Sequence, residues 1–69
     1  MDMRRIVGSN VRKLRLEKNL TQEQSTELSG LSQQYISGLE RGHRNPTVVT
    51  LYEIATALRV RPVDLLESI

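Results

Sequence analysis

Gln22-Glu23-Gln24-Ser25-Thr26-Glu27-Leu28-Ser29-Gly30-Leu31-Ser32-Gln33-Gln34-Tyr35-Ile36-Ser37-Gly38-Leu39 is the stretch whose reading decides the fold. Thr21 stands just ahead of it. Thr21-Gln22-Glu23-Gln24 has the form of a capping box, in which hydroxyl and amide satisfy backbone N–H groups reciprocally. Leu20 precedes the cap, where a staple residue belongs. The helix begun there is short and ends near Ser29, because Gly30 permits a tight turn at positive φ. Ser32 then caps a second helix that runs to about Arg41, with Gly42 as its C-terminal stop. Two short helices joined by a glycine-containing turn of about three to four residues form a recognisable supersecondary unit.

The pattern on both sides of this unit is also helical. Upstream, Val7, Val11 and Leu14 follow i, i+4, i+7 spacing with Ile6 beside them, which predicts a helix over roughly residues 3–18. Asn19 follows, a residue that tolerates the left-handed conformation common past a helix end. Downstream, His43-Arg44-Asn45-Pro46 reads as a loop. Thr47 caps a fourth helix, on which Leu51, Ile54, Ala55 and Leu58 make one apolar face. Pro62 suits the first turn of a fifth helix, with Val63, Leu65 and Leu66 available for burial. Asp64 places negative charge at its positive end, while Arg61 is a poor N-cap. The expectation is an all-α chain, a compact five-helix bundle folded as one domain over residues 1–69.

Length and composition narrow the classes. Sixty-nine residues make one domain with a small core, and scaffolds of this size often gain stability by oligomerising. There is no cysteine, so no disulfide and no thiolate metal site contributes. That agrees with a reducing compartment, and a cytoplasmic location is expected. The apolar runs are far too short to span a membrane, and Met1-Asp2-Met3-Arg4-Arg5 leads into no apolar signal segment. The net charge is only +2, weak as a pointer to nucleic acid. Its distribution says more. Arg4, Arg5, Arg12, Lys13, Arg15 and Lys18 crowd the first quarter, and Arg41 and Arg44 flank His43. On charge alone a phosphate footprint and a solvated mixed-charge surface stay equally open.

The order of the two central helices favours DNA. A recognition helix presents its N-terminal residues to base edges in the major groove, while the helix before it crosses the backbone. The proposed recognition helix spans about residues 32–41 and opens Ser32-Gln33-Gln34. A glutamine head carries a donor and an acceptor that match adenine N6 and N7. The plainer alternative is that Gln33 and Gln34 are ordinary solvated helix residues.

Residues 7–66 resemble the lambda-repressor-like, Cro/C1-type helix-turn-helix family, also called XRE-type. The resemblance rests on Val11-Arg12-Lys13-Leu14-Arg15, on Leu20-Thr21-Gln22-Glu23-Gln24, and on the run from Ser29 to Gly42. Asn45-Pro46-Thr47 and Pro62-Val63-Asp64-Leu65-Leu66 match as well. It implies a sequence-specific regulator of transcription, with repression as the expected sign, bound to double-stranded DNA. It also implies that Gln33, Gln34 and Ser37 read bases. Gln22, Tyr35, Arg41, Arg44 and Asn45 would contact the backbone, Tyr35 alternatively being a half-buried packing residue. Arg15 and Glu40 occupy positions that form a structural ion pair in this family.

A homodimer on a palindromic operator is a further implication of the resemblance. Val63, Leu66 and Ile69 follow i, i+3, i+6 spacing and are the expected interface, with Leu65 turned into the monomer's own core. Alternatively, all four simply close the core. Ser25 and Thr26 depart from the family, which carries a bulky apolar residue and alanine at these places. Gly38 puts no side chain where a base-reading group often sits.

No catalytic set is expected. Glu23 and Glu27 lie one helical turn apart with no partner for acid–base chemistry, and His43 is the single histidine, so neither a metal nor a cofactor is expected. An enzyme is therefore not the expected class. The rival class is a protein-interaction module, such as an antitoxin that neutralises a toxin chain, since fold does not fix function. No obvious segment for wrapping such a partner is present.

Overall fold

The computed structural model describes residues 2–68. It contains α1 (Met3–Glu17), α2 (Gln22–Ser29), α3 (Gln33–Glu40) and α4 (Val48–Leu58), followed by a short 3-10 turn at Pro62–Leu65. No strand occurs among the described residues.

Local chemistry sets each helix start. Asp2, Thr21, Ser32 and Thr47 are the N-caps, and each side chain accepts a backbone N–H from the first turn. At α2 the capping box is complete. Gln24 N–H donates to Thr21 Oγ1 at 3.1 Å, and Thr21 N–H donates to Gln24 Oε1 at 2.8 Å. Gly30 ends α2 at φ 77°, in the left-handed region that glycine enters without a Cβ penalty. Asn19 (φ 57°) turns the chain after α1, as expected from its side chain. Arg59 adopts φ 58° after α4, where no residue type announced it.

The apolar spacing finds its target. Val7 and Val11 from α1, Leu39 from α3, and Ile54, Ala55 and Leu58 from α4 form one buried cluster, closed by Leu65. Leu14, Leu20, Leu31, Tyr35 and Leu51 pack around it, half-buried. Gly8 makes the junction of α1 with α3 possible. A Cβ there would collide with the carbonyl oxygen of Leu39, so the two backbones meet directly.

The expected fifth helix does not form. Pro62–Leu65 is a single 3-10 turn, held by Asp64 N–H to the Arg61 carbonyl (2.9 Å) and Leu66 N–H to the Val63 carbonyl (3.0 Å). Among the described residues there are therefore four α-helices, not five. The buried Asn10 side chain of α1 anchors this segment, donating to the carbonyls of Leu65 (2.9 Å) and Glu67 (2.8 Å). Arg61 has no side-chain acceptor, and Asp64 reaches back to it instead, at 2.9 Å to the N–H and 3.1 Å to the guanidinium. The Arg61 side chain, then its backbone N–H, hold the Asp64 carboxyl below the usual carboxylate range.

Ser25 and Thr26, the two departures on α2, have different fates. Thr26 is half-buried and donates its hydroxyl back to the Gln22 carbonyl at 3.0 Å. Ser25 is buried, and its hydroxyl finds no partner.

Candidate nucleic-acid interface

α2 and α3 frame an open hollow on the surface. Gln22, at the first position of α2, lies on one side. Gln33, Gln34, Ser37 and Gly38 of α3 form the floor, and Arg41, His43 and Arg44 supply the far rim. Gln33 and Gln34, the first two residues of α3 after the Ser32 cap, are exposed. Ser37 follows one helical turn after Gln33 and Gln34 and shares their face. The hollow joins amide and hydroxyl groups to cations, the mixture needed to read base edges and hold phosphates.

Arg44 is ordered by its neighbours. Its guanidinium lies 5.3 Å from the centroid of the Tyr35 ring, a cation–π arrangement. A Cβ on Gly38 would sit 3.1 Å from Arg44 Nε and 3.3 Å from its Cγ. Gly38 thus makes room for the Arg44 side chain to cross α3. The absence of a side chain at this position is a packing feature, which the sequence alone did not reveal.

The predicted ion pair is present and tight. Arg15 Nε donates to Glu40 Oε2 at 2.7 Å, and Arg15 Nη2 donates to Oε1 at 3.0 Å. The two side chains are 9% and 3% exposed. Arg15 Nη1 also donates to the Leu20 carbonyl at 2.7 Å, fixing the chain just ahead of the α2 cap. Gln22 joins this group through its amide, Nε2 donating to Glu40 Oε1 at 3.2 Å.

The other sequence-predicted residues fall outside the hollow. Tyr35 is half-buried against the core and meets the site only through Arg44. Asn45 is exposed and borders a separate depression with Pro46, Leu51 and Leu66. Arg12 and Lys13 line another depression along α1 with Ser9 and Leu16. Arg4 and Arg5 approach Asp2 at 3.5 and 3.9 Å. Of the basic first quarter, Arg5 packs against Gly42 beside the rim and Arg15 reaches Gln22 through Glu40, while Arg12 and Lys13 line the separate depression.

Val63 and Leu66 are 46% and 41% exposed and Leu65 is fully buried, but with a 3-10 turn in place of the expected helix the i, i+3, i+6 spacing does not set this arrangement. Ile69, the third expected interface residue, lies outside the described residues. Three features escaped sequence reasoning. Asn10 ties α1 to the C-terminal segment. Gln22 bonds to Glu40. Val48, Val49 and Tyr52 leave α4 with an exposed apolar surface, 82%, 68% and 61% accessible. Only the last had a signal, since these residues fall off the Leu51, Ile54, Ala55 and Leu58 face. No cluster of metal-ligating side chains occurs among the described residues, and no helix there is long and apolar enough to cross a membrane.

Comparison with known proteins agrees with this geometry. A helix-turn-helix family model matches residues 11–65. An uncharacterised helix-turn-helix transcriptional regulator of Sinorhizobium fredii is 65% identical over 65 residues, covering 94% of this chain and 84% of the relative. The crystal structure of the restriction-modification controller protein C.AhdI from Aeromonas hydrophila superposes with a TM-score of 0.86 at 42% identity, covering 90% of this chain and 94% of that one. A second controller protein, solved as a tetramer in complex with its natural 35 base-pair operator, gives a TM-score of 0.86 at 38% identity. That match covers 94% of this chain and 86% of the controller.

Proposed function

The chain belongs to the helix-turn-helix family, and from that premise we propose that it is a transcriptional regulator, acting as a repressor, that binds double-stranded DNA sequence-specifically through α3. The observation that carries this is the exposed first turn of α3, where Gln33 and Gln34 share one hollow with Gln22, Ser37, Arg41 and Arg44. In the major groove Gln33 and Gln34 offer paired donor and acceptor heads to adenine, and Ser37 bonds a neighbouring base edge. Arg41 and Arg44 neutralise phosphates, with Tyr35 bracing Arg44 from below. Gln22 bonds a phosphate from the start of α2, and Asn45 reaches the backbone from the loop beyond Gly42. Phosphate contacts supply most of the affinity, so binding falls steeply with salt.

One such module covers too little DNA for tight, specific binding, so the working unit in this proposal is a homodimer on a palindromic operator. Val63 and Leu66 support an interface at the 3-10 turn, being large apolar side chains left exposed by a protomer that already buries Leu65. Two recognition helices would then lie about one DNA turn apart, ~34 Å. Selection from randomised duplex DNA tests the whole proposal. The expected product is a two-fold symmetric site whose half-sites contain adenine and repeat at ~10 base pairs. Failure to enrich any sequence would overturn it.

A further inference from the structure

We propose that Glu40 is a positioning residue for DNA binding, orienting the Gln22 amide so that it presents an N–H to phosphate; this rests on the DNA-binding function proposed above. Both Glu40 carboxylate oxygens already receive the buried Arg15 guanidinium. Glu40 is thereby held in one place, with Oε1 turned toward Gln22. A carboxylate only accepts hydrogen bonds, so the carbonyl end of the Gln22 amide is excluded from it. The Nε2 end must face inward, and one of its two hydrogens is used there. The other hydrogen remains for a ligand on the hollow that Gln22 lines. Among the described residues Glu40 is the only protein partner of this amide.

A free glutamine on a helix surface samples several rotamers and both amide orientations. An acceptor in the protein removes that freedom on folding, so less ordering remains for the moment of DNA binding. The structural ion pair of helices α1 and α3 thus extends, through one side chain, into the interface. Arg15 reinforces the arrangement by holding the Leu20 carbonyl, which places the α2 cap and so the backbone of Gln22.

A double-mutant cycle on duplex binding by the full chain, read by fluorescence anisotropy, tests the coupling. Gln22→Ala is expected to weaken binding ~10-fold, the lower end of the range for a hydrogen bond to a charged group. The salt slope should stay unchanged, because the contact releases no counterion. In a Glu40→Met background the same substitution should cost ~2-fold or less, since no acceptor remains there to orient the amide. Equal factors in the two backgrounds would overturn the proposal and leave Glu40 a purely structural partner of Arg15. So would a Gln22→Ala variant that binds like the wild type.

Should Glu40→Met fail to fold because it leaves the buried Arg15 unpaired, Arg15→Met combined with Glu40→Met removes the acceptor without stranding a buried charge. The cycle is then run in that background with the same two outcomes. A wild-type chain that binds no duplex at all would instead defeat the function itself, a result separable from unequal or equal factors.

Discussion

Replacing Asn10 by alanine removes both donors that hold the C-terminal segment against α1. The Leu65 carbonyl is buried and would be left without a partner, at a cost of ~1–3 kcal/mol. Glu67 is exposed, so its carbonyl turns to water and only the net value of that bond is lost, ~0.5–1.5 kcal/mol. The sum is about 2–4 kcal/mol. A chain of this length has a total stability of roughly 3–10 kcal/mol, so the substitution removes a large share of it. At ~4–8 °C per kcal/mol for a small domain, the melting temperature should fall by about 8–32 °C.

Circular dichroism melts, with urea titration as a check on the slope, measure the loss. Asn10→Asp separates donors from volume, because it keeps the shape and turns an acceptor toward two carbonyls. At neutral pH it should destabilise at least as much as Asn10→Ala. The introduced carboxyl should titrate higher in the folded chain than in the unfolded one. Its deficit relative to wild type should therefore shrink as pH falls through that range, where protonation restores one donor. An Asn10→Ala variant melting within ~3 °C of the wild type, below ~1 kcal/mol, would refute the assignment of Asn10 as the clasp.

Gln34→Ala should lose ~1–3 kcal/mol of discrimination at one or two base pairs while non-specific binding stays nearly intact, measured by competition with altered operators. Parallel losses in both would make Gln34 a positioning contact. Arg44→Ala should weaken binding to every sequence and lower the salt slope by about one unit, read from affinities across a salt series. An unchanged slope would remove Arg44 from the phosphates. Ser25→Ala and Thr26→Ala should each raise the melting temperature. The first deletes a buried hydroxyl without a partner, and the second deletes a back-bonded one where the helices pack; lower melting temperatures for both would show that these hydroxyls are satisfied in solution. Leu66→Glu, at an exposed position, should give a folded monomer with much weaker operator binding, separated by analytical ultracentrifugation with circular dichroism. A variant that still sediments as a dimer would move the interface elsewhere, with the exposed Val48, Val49 and Tyr52 surface the next to test.

What this sequence determined by itself was everything governed by neighbours a few residues apart. Thr21, Ser32 and Thr47 cap helices because their hydroxyls reach amides within the next turn, and Gly30 and Gly42 stop them because φ near 77° and 78° suits a residue without a Cβ. Periodicity likewise marked Val7, Val11, Ile54, Ala55 and Leu58 as core, since a helix brings i, i+3 and i+4 to one face. Helix order and the Ser32-Gln33-Gln34 start marked the face proposed to read bases for the same reason.

Tertiary structure decided what depends on distant partners. Asn10 meets carbonyls 55 and 57 positions away, and that contact fastens to α1 the 3-10 turn that stands where a fifth helix was expected. Gln22 meets Glu40 across 18 positions, a contact no local pattern encodes. Gly8 and Gly38 are small because another backbone and another side chain pass over them, and Arg59 takes a left-handed turn after α4 that its residue type does not favour. Local rules act through the chain's own dihedrals and are written in nearest neighbours. These later choices arise only when separate helices compete for the same space and the same hydrogen-bonding groups.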